Sequence, residues 1–228
     1  MVRRKTMAIL TVDQINNLYF KEIGGFPPKK SCIELKDYQG ENKLSIFCTQ
    51  LNYTYSEREK KRILAEWIDF LRTNTKAFKA LHFNSRVPQK LFDAACCQED
   101  LEELRFKWGA YEDLSELIKL DKLKYLYIGS GASVQDITCL GSLDNLIVLH
   151  VENFKKIEDY SPLISLNKLE QLVISGPILG NTPIKDLDFL YKMQNLVSLW
   201  LPNTALRRKY SKEEWERLRL ALPNLHFI

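Results

Sequence analysis

The sequence predicts an α/β solenoid: a stack of short parallel strands with a small α+β region ahead of it. Three observations carry this. An apolar hexad of the form L-x-x-L-x-L recurs seven times, its start-to-start spacing stays between 22 and 27 residues, and the stretches between hexads place apolar residues at every third position.

In chain order the hexads are Phe78/Leu81/Phe83, Leu101/Leu104/Phe106, Leu123/Leu126/Ile128, Leu146/Leu149/Val151, Leu169/Leu172/Ile174, Leu196/Leu199/Leu201 and Leu222/Leu225/Phe227. All 21 positions are apolar in a chain that is 45% hydrophobic, which has a chance below about 10⁻⁷, so the repeat is real. Alternation over positions four to six is the period of a strand with one buried face, and the other residues return the chain to the same edge one step along. The returns Ile137/Leu140/Leu143, Ile157/Tyr160/Leu163/Leu166 and Ile184/Leu187/Leu190/Met193 step by three, which suits 3₁₀ turns better than long α-helices. Residues 86–97 differ. After Pro88, Leu91, Phe92, Ala95 and Cys96 cluster at helical spacing, so this return is expected to be a helix.

With this hexad, this spacing and returns such as 157–166 and 184–193, the chain from Phe78 to Ile228 resembles the leucine-rich repeat family, in the short form of bacterial internalin-type proteins. The resemblance implies a parallel, concave sheet that presents itself to a protein partner. It departs from the family at the ninth position of the repeat, usually Asn, where this chain has Arg86, Gly109, Gly131, Phe154, Pro177 and Thr204. Backbone groups in those turns must find other partners or water, so irregular turns and modest stability are expected.

Residues 1–76 are expected to form an α+β capping region, and residues 77–228 the repeat array with a C-terminal helix and strand as its closing cap. Thr11 and Gln14 form a capping box ahead of Val12, Ile15, Leu18 and Tyr19 on one helical face, ended by Gly24-Gly25 and Pro27-Pro28. Strands are expected at 31–36 and 44–55, on either side of a turn at Gly40. In the second, Phe47, Leu51, Tyr53 and Tyr55 share one face while Ile46 and Cys48 share the other. Ser56 and Glu59 open a helix to about Thr73 with an apolar stripe of Ile63, Trp67, Phe70 and Leu71, placed to cover the open end of the first repeat. A third box, Ser211 and Glu214, opens a helix that turns Trp215, Leu218 and Ala221 toward the array, before a seventh strand.

Composition narrows the function. Of 33 basic and 29 acidic side chains, residues 1–76 hold 14 and 9, a mild excess that reads as solvated surface; nucleic-acid association through this basic part stays as the alternative. Five cysteines, an odd count without framework spacing, are expected to be free thiols in a reducing cytosol, with the adjacent Cys96 and Cys97 small and buried. Residues 1–14 hold too short an apolar run for a signal-peptide core, and no stretch approaches a membrane span. A cytoplasmic bacterial protein with no membrane association is therefore expected, and the Asn52-Tyr53-Thr54 sequon is coincidental. Gly129-Ser130-Gly131 lacks the third glycine and basic residue of a phosphate loop and reads as a tight turn. Residues 175–183 add length at a strand exit and offer a partner contact.

The fifth hexad position points away from the core and reads His82, Arg105, Tyr127, His150, Val173, Trp200 and His226. It holds all three histidines, yet strands about 4.8 Å apart put histidines three repeats apart roughly 14 Å from each other, too far for one zinc with ligands at about 2.1 Å. His82 and His150 have no Ser or Cys neighbour on that face. No catalytic residue, cofactor or metal site is expected, and the chain reads as a non-enzyme. Binding remains. Arg105, Trp108, Tyr125, Tyr127, His150, Val173 and Trp200 are the candidate protein-binding residues, with Val148 and Val197 beside them and Glu103 and Glu152 flanking, a mixture that suits a protein interface. The expected function is a monomeric, non-enzymatic protein-interaction module, an adaptor or immunity-type inhibitor. A self-associating solenoid is a third reading, separable by oligomeric state.

Overall fold

The computed structural model describes residues 30–177 and 179–225. One parallel sheet organises them, in the order β1 (Ser31–Cys32), β2 (Lys43–Ile46), β3 (Ala80–Phe83), β5 (Glu103–Phe106), β7 (Tyr125–Ile128), β8 (Val148–Glu152), β9 (Gln171–Ser175) and β10 (Ser198–Trp200). Two short strands, β4 (Val87–Pro88) and β6 (Gly109–Ala110), form a separate parallel pair. Leu81, Leu104, Leu126, Leu149, Leu172 and Leu199 lie in register across six strands and are all buried. Each such leucine contributes on the order of 1.5–3 kcal/mol by leaving water. The chain therefore has a leucine-rich repeat fold, with a hexad strand and a return in each unit.

The sheet runs on across the expected division at residues 76 and 77. Leu44 and Ile46 pair with Leu81 and Phe83 and are buried, so β2 carries the fourth and sixth hexad positions of an earlier unit. Its first position is Glu41, which is why the apolar pattern stops at Phe78. The expected strand at 44–55 ends at Ile46, and the one at 31–36 is only Ser31–Cys32, followed by a 3₁₀ turn at Leu35–Asp37. Gln50, in the left-handed region at φ 54°, marks where the chain leaves the sheet.

Helix α1 (Glu57–Thr73) starts at the expected capping box, with Ser56 Oγ accepting from Glu59 N and Glu59 from Ser56 N. It does not cover the end of the array as expected. It is the return between β2 and β3, packed beside the next return, α2 (Gln89–Ala95), with Ile63, Trp67 and Leu71 buried. Its stripe needs a core on the return side of the sheet, and a helix between two adjacent parallel strands lies there. The packing at this end comes instead from residues 33–38: Trp67 Nε1 donates to Ile33 O at 2.8 Å, and the Tyr38 ring meets Phe70 and Phe78 at 5.3 Å.

The later returns are 3₁₀ turns, as the spacing predicts: Ser115–Lys119, Thr138–Ser142, Ser161–Ser165 and Leu190–Lys192. A short helix α3 (Leu206–Lys209) and α4 (Lys212–Ala221) follow β10. The Ser211–Glu214 capping box is formed, Leu218 is buried and Trp215 partly so, but Ala221 is exposed because it falls off the stripe that Leu218 defines. The helix expected after Thr11, and the strand through Phe227 with His226 on it, lie outside the described residues.

Turns without an asparagine ladder find other partners. Lys107 N, Asn153 N and Gly176 N donate to Phe83 O, Ser175 O and Pro202 O of neighbouring units at 3.0, 2.7 and 2.9 Å. Tyr111 OH, buried, donates to Gly129 O at 2.5 Å, and buried Thr204 Oγ1 donates to Leu201 O at 3.0 Å. A second device was not read from the sequence: Asp113, Asp136, Asp159 and Asp186 each accept from the backbone N–H two residues on, at 2.8, 2.7, 2.8 and 3.1 Å. These carboxylates satisfy donors at the starts of the returns, a capping role moved to the opposite side of the repeat.

Candidate protein-binding face

Two rows of side chains cross the concave face. Register places Ser45, His82, Arg105, Tyr127, His150, Val173 and Trp200 in one row, and Lys43, Ala80, Glu103, Tyr125, Val148, Gln171 and Ser198 in the other. The strand alternation that buries the hexad leucines necessarily turns these residues the other way. Six of the seven candidate residues thus stand on this face: Arg105, Tyr125, Tyr127, His150, Val173 and Trp200.

Their interactions are local and directional. The Arg105 guanidinium lies 5.0 Å from the Tyr127 ring centre, and that ring meets His150 edge-on at 4.5 Å. Tyr127 OH donates to Glu152 Oε2 at 2.7 Å, and His150 Nε2 is 3.0 Å from Ser175 Oγ. His82 Nε2 bonds Glu103 Oε1 at 2.5 Å. Burial, then the Arg105 charge, holds the His150 pKa down at about 3, so its imidazole is neutral at physiological pH. Arg105, Tyr125, Tyr127, His150 and Trp200 are each engaged in further polar, ring or electrostatic contacts.

Trp108 stands apart. It follows β5 at the rim of the sheet, 36% exposed, with Nε1 donating to Gln50 Oε1 at 2.8 Å and Lys107 Nζ 4.5 Å above its ring. Between Trp108, Tyr127 and Glu152 opens a cleft of about 620 Å³, walled by Gln50, Arg86 and Lys107. Gln50 holds the rim together, since its Oε1 also accepts from Arg86 N at 2.9 Å. The sequence carried a signal for Lys107, one alternation beyond Arg105, but none for Gln50, which comes from a turn 58 positions before Trp108. Ser130 also lines the cleft, at φ 57°. Beside it a Cβ on Gly129 would lie 2.0 Å from Lys107 O and one on Gly131 1.9 Å from the Phe154 ring, so this turn serves close packing, as a tight turn must.

The thiols stand elsewhere. All five cysteines are unpaired, and burial pushes Cys48 up to about 12 and Cys139 to about 11, which keeps them protonated and unreactive. Among the described residues no group of His, Cys, Asp and Glu could hold a metal ion, and no helix is long and apolar enough to cross a membrane.

No family model matches the chain, and no curated protein matches it. Among solved structures it is similar to an internalin, inlF, from Listeria monocytogenes, at 21% identity and TM-score 0.44, over 68% of this chain and 48% of that one. It is similar to internalin C2 of the same organism at 18% identity and TM-score 0.47, over 72% and 81% of the two chains. A plant peptide hormone receptor, RGFR1, solved in complex with RGF2, matches at 16% identity and TM-score 0.38, over 60% of this chain and 26% of that one. The match spans about half the length of the inlF chain.

Proposed function

We propose that this chain is a non-enzymatic protein-interaction module that takes a protein partner on its concave face, acting as an adaptor or immunity-type inhibitor in the bacterial cytoplasm, as a monomer. The observation that supports this most is the row Arg105, Tyr127, His150, Val173 and Trp200 on five adjacent strands, with Tyr125 beside it and Trp108 at its rim. Aromatic side chains and arginine dominate interface energies because they bury large area at low entropic cost and keep one polar handle. Nucleic-acid association has less support: Lys30, Lys36, Lys60, Arg62 and Lys76 of the basic N-terminal part each pair with a carboxylate, which removes them from a free basic stripe.

The test is capture of partners from native cell extract on the immobilised full chain, followed by affinity measurements with Trp108→Ala, Tyr127→Ala and Trp200→Ala. A partner bound through this face loses roughly 30-fold in affinity, about 2 kcal/mol, for at least one of the three. A partner indifferent to all three sinks the assignment of the face. Light scattering on the purified chain checks the monomer.

A further inference from the structure

Charge is handled differently on the two edges of the sheet. On the edge where the chain enters each strand, lysines pair with carboxylates of the neighbouring unit: Lys76 with Glu99 at 3.3 Å, Lys122 with Asp100 at 2.5 Å and Lys124 with Glu102 at 2.7 Å. On the opposite edge, the chain leaving β2, β3, β5, β7 and β8 brings Gln50, Arg86, Lys107, Ser130 and Glu152 to the cleft of about 620 Å³ beside Trp108. Arg86 and Lys107 are exposed there, and among the described residues neither forms an ion pair.

We propose that this cleft takes an acidic segment of the protein partner, seating an Asp or Glu carboxylate on Arg86, Lys107 and Gln50 with an adjoining apolar side chain against Trp108. This rests on the reading of the chain as a protein-binding module and adds the chemistry of the partner. Gln50 is held ready for it. Its Oε1 accepts from Trp108 Nε1 at 2.8 Å and from Arg86 N at 2.9 Å. Both of those groups only donate, so the amide orientation is settled and its Nε2 is left as a donor in the cleft that Gln50 lines. A carboxylate accepts from guanidinium, ammonium and amide alike, and its bonds to the two charged groups are the stronger kind.

Other ligand chemistries fit less well. A cation has no open aromatic face to occupy, because Lys107 Nζ already lies 4.5 Å above the Trp108 ring and the Arg105 guanidinium 5.0 Å from the Tyr127 ring centre. A nucleic-acid backbone brings repeated negative charge against Glu152, whose Oε2 accepts from Tyr127 OH at 2.7 Å. Two unpaired cations also fall short of the basic stripe that such a backbone needs. A peptide carries isolated carboxylates together with backbone N–H groups, and Glu152 Oε1 is an acceptor for one of the latter.

The experiment titrates the isotopically labelled full chain with a capped acidic pentapeptide, Asp-Glu-Phe-Asp-Glu, with its neutral counterpart Asn-Gln-Phe-Asn-Gln, and with a six-residue thymidine oligonucleotide. The readout is the Trp108 indole N–H resonance, assigned by its loss in Trp108→Phe. The acidic peptide is expected to move this resonance saturably with Kd of about 1 mM, more weakly as salt rises. Arg86→Gln and Lys107→Gln are each expected to weaken it about fivefold, as loss of one exposed charge pair does at the upper end of its range, while Arg86→Lys keeps most of the affinity. No shift up to about 5 mM peptide, an equal shift from the neutral peptide, or tighter binding of the oligonucleotide overturns the proposal. The titration needs no native partner. A captured partner that depends on Tyr127 and Trp200, with the peptide leaving Trp108 unmoved, sinks the cleft and spares the face. A partner indifferent to the alanine variants sinks the face and leaves a charge-dependent peptide shift standing.

Discussion

His150 offers a perturbation whose sign and size follow from its surroundings. It stands on β8 with its ring edge-on to Tyr127 and Nε2 3.0 Å from Ser175 Oγ, and its pKa is held at about 3 by burial first and Arg105 second, against an ordinary 6.5. As pH falls through 6.5 the unfolded chain binds a proton here that the native chain refuses until about pH 3. In that window the unfolded state holds more protons, so stability drops with falling pH, by about 1.4 kcal/mol per unit at full slope. From pH 7 to pH 5 the loss is about 2 kcal/mol, equivalent to roughly 4–8 °C in Tm for a domain of this size. The assay is urea unfolding at pH 7, 6 and 5 for the native chain and for His150→Gln, which cannot titrate. Carboxylates such as Glu41, held at about 2 chiefly by its hydrogen bond to Lys30, are common to both chains and cancel in the difference. A native-minus-variant difference that stays constant across this range would refute the burial argument for His150.

Three further perturbations test the fold that holds this face. Leu149→Ala, at a position with no exposed surface, is expected to lower the unfolding free energy by roughly 2–5 kcal/mol in urea titrations. Gly131→Ala drives a methyl group into the buried Phe154 ring and is expected to cost about 1–3 kcal/mol, part of it recovered by adding Phe154→Leu; Gly129→Ala, which meets the Lys107 carbonyl instead, gains nothing from trimming a side chain. Asp159→Ala removes the acceptor of Ser161 N and is expected to lower stability by about 1 kcal/mol, while Asp159→Asn is expected to keep most of it; thermal unfolding of the two variants is the check.

How far the sequence could be read depended on how local each signal was. The hexad, its register and the 3₁₀ returns follow from apolar spacing within a few residues, and the two capping boxes at Ser56 and Ser211 are four-residue signals that the structure forms as read. The unit containing β2 escaped because Glu41 breaks the hexad and a 17-residue helix replaces the short return, so neither the pattern nor the period matched. The role of α1 was misplaced for the same reason: without β2 as a solenoid strand, its apolar stripe had no return side to face. Asp113, Asp136, Asp159 and Asp186 recur with the repeat, but their role depends on a backbone N–H that only the 3₁₀ geometry presents.

The concave face shows where reading by alternation stops. Alternation separates the two sides of a strand and says nothing about whether a second layer lies on the outer one. Val148, Val173 and Ala80 look like partner-facing positions among Arg105, Glu103 and Gln171, and the same residues serve equally well as a floor for a packed segment. A mixed row costs little when exposed and gains when covered by anything apolar along its centre and polar along its margins, which describes an amphipathic helix and a partner's surface alike. Burial separates the possibilities along the row. Trp108, Lys107 and the cleft beside Tyr127 stay open at the rim, while His150, Val148 and Val173 are withdrawn from water. On the proposed reading a partner therefore meets the rim first, where Trp108 is 36% exposed beside the cleft at Tyr127, and reaches the less exposed centre of the row through it.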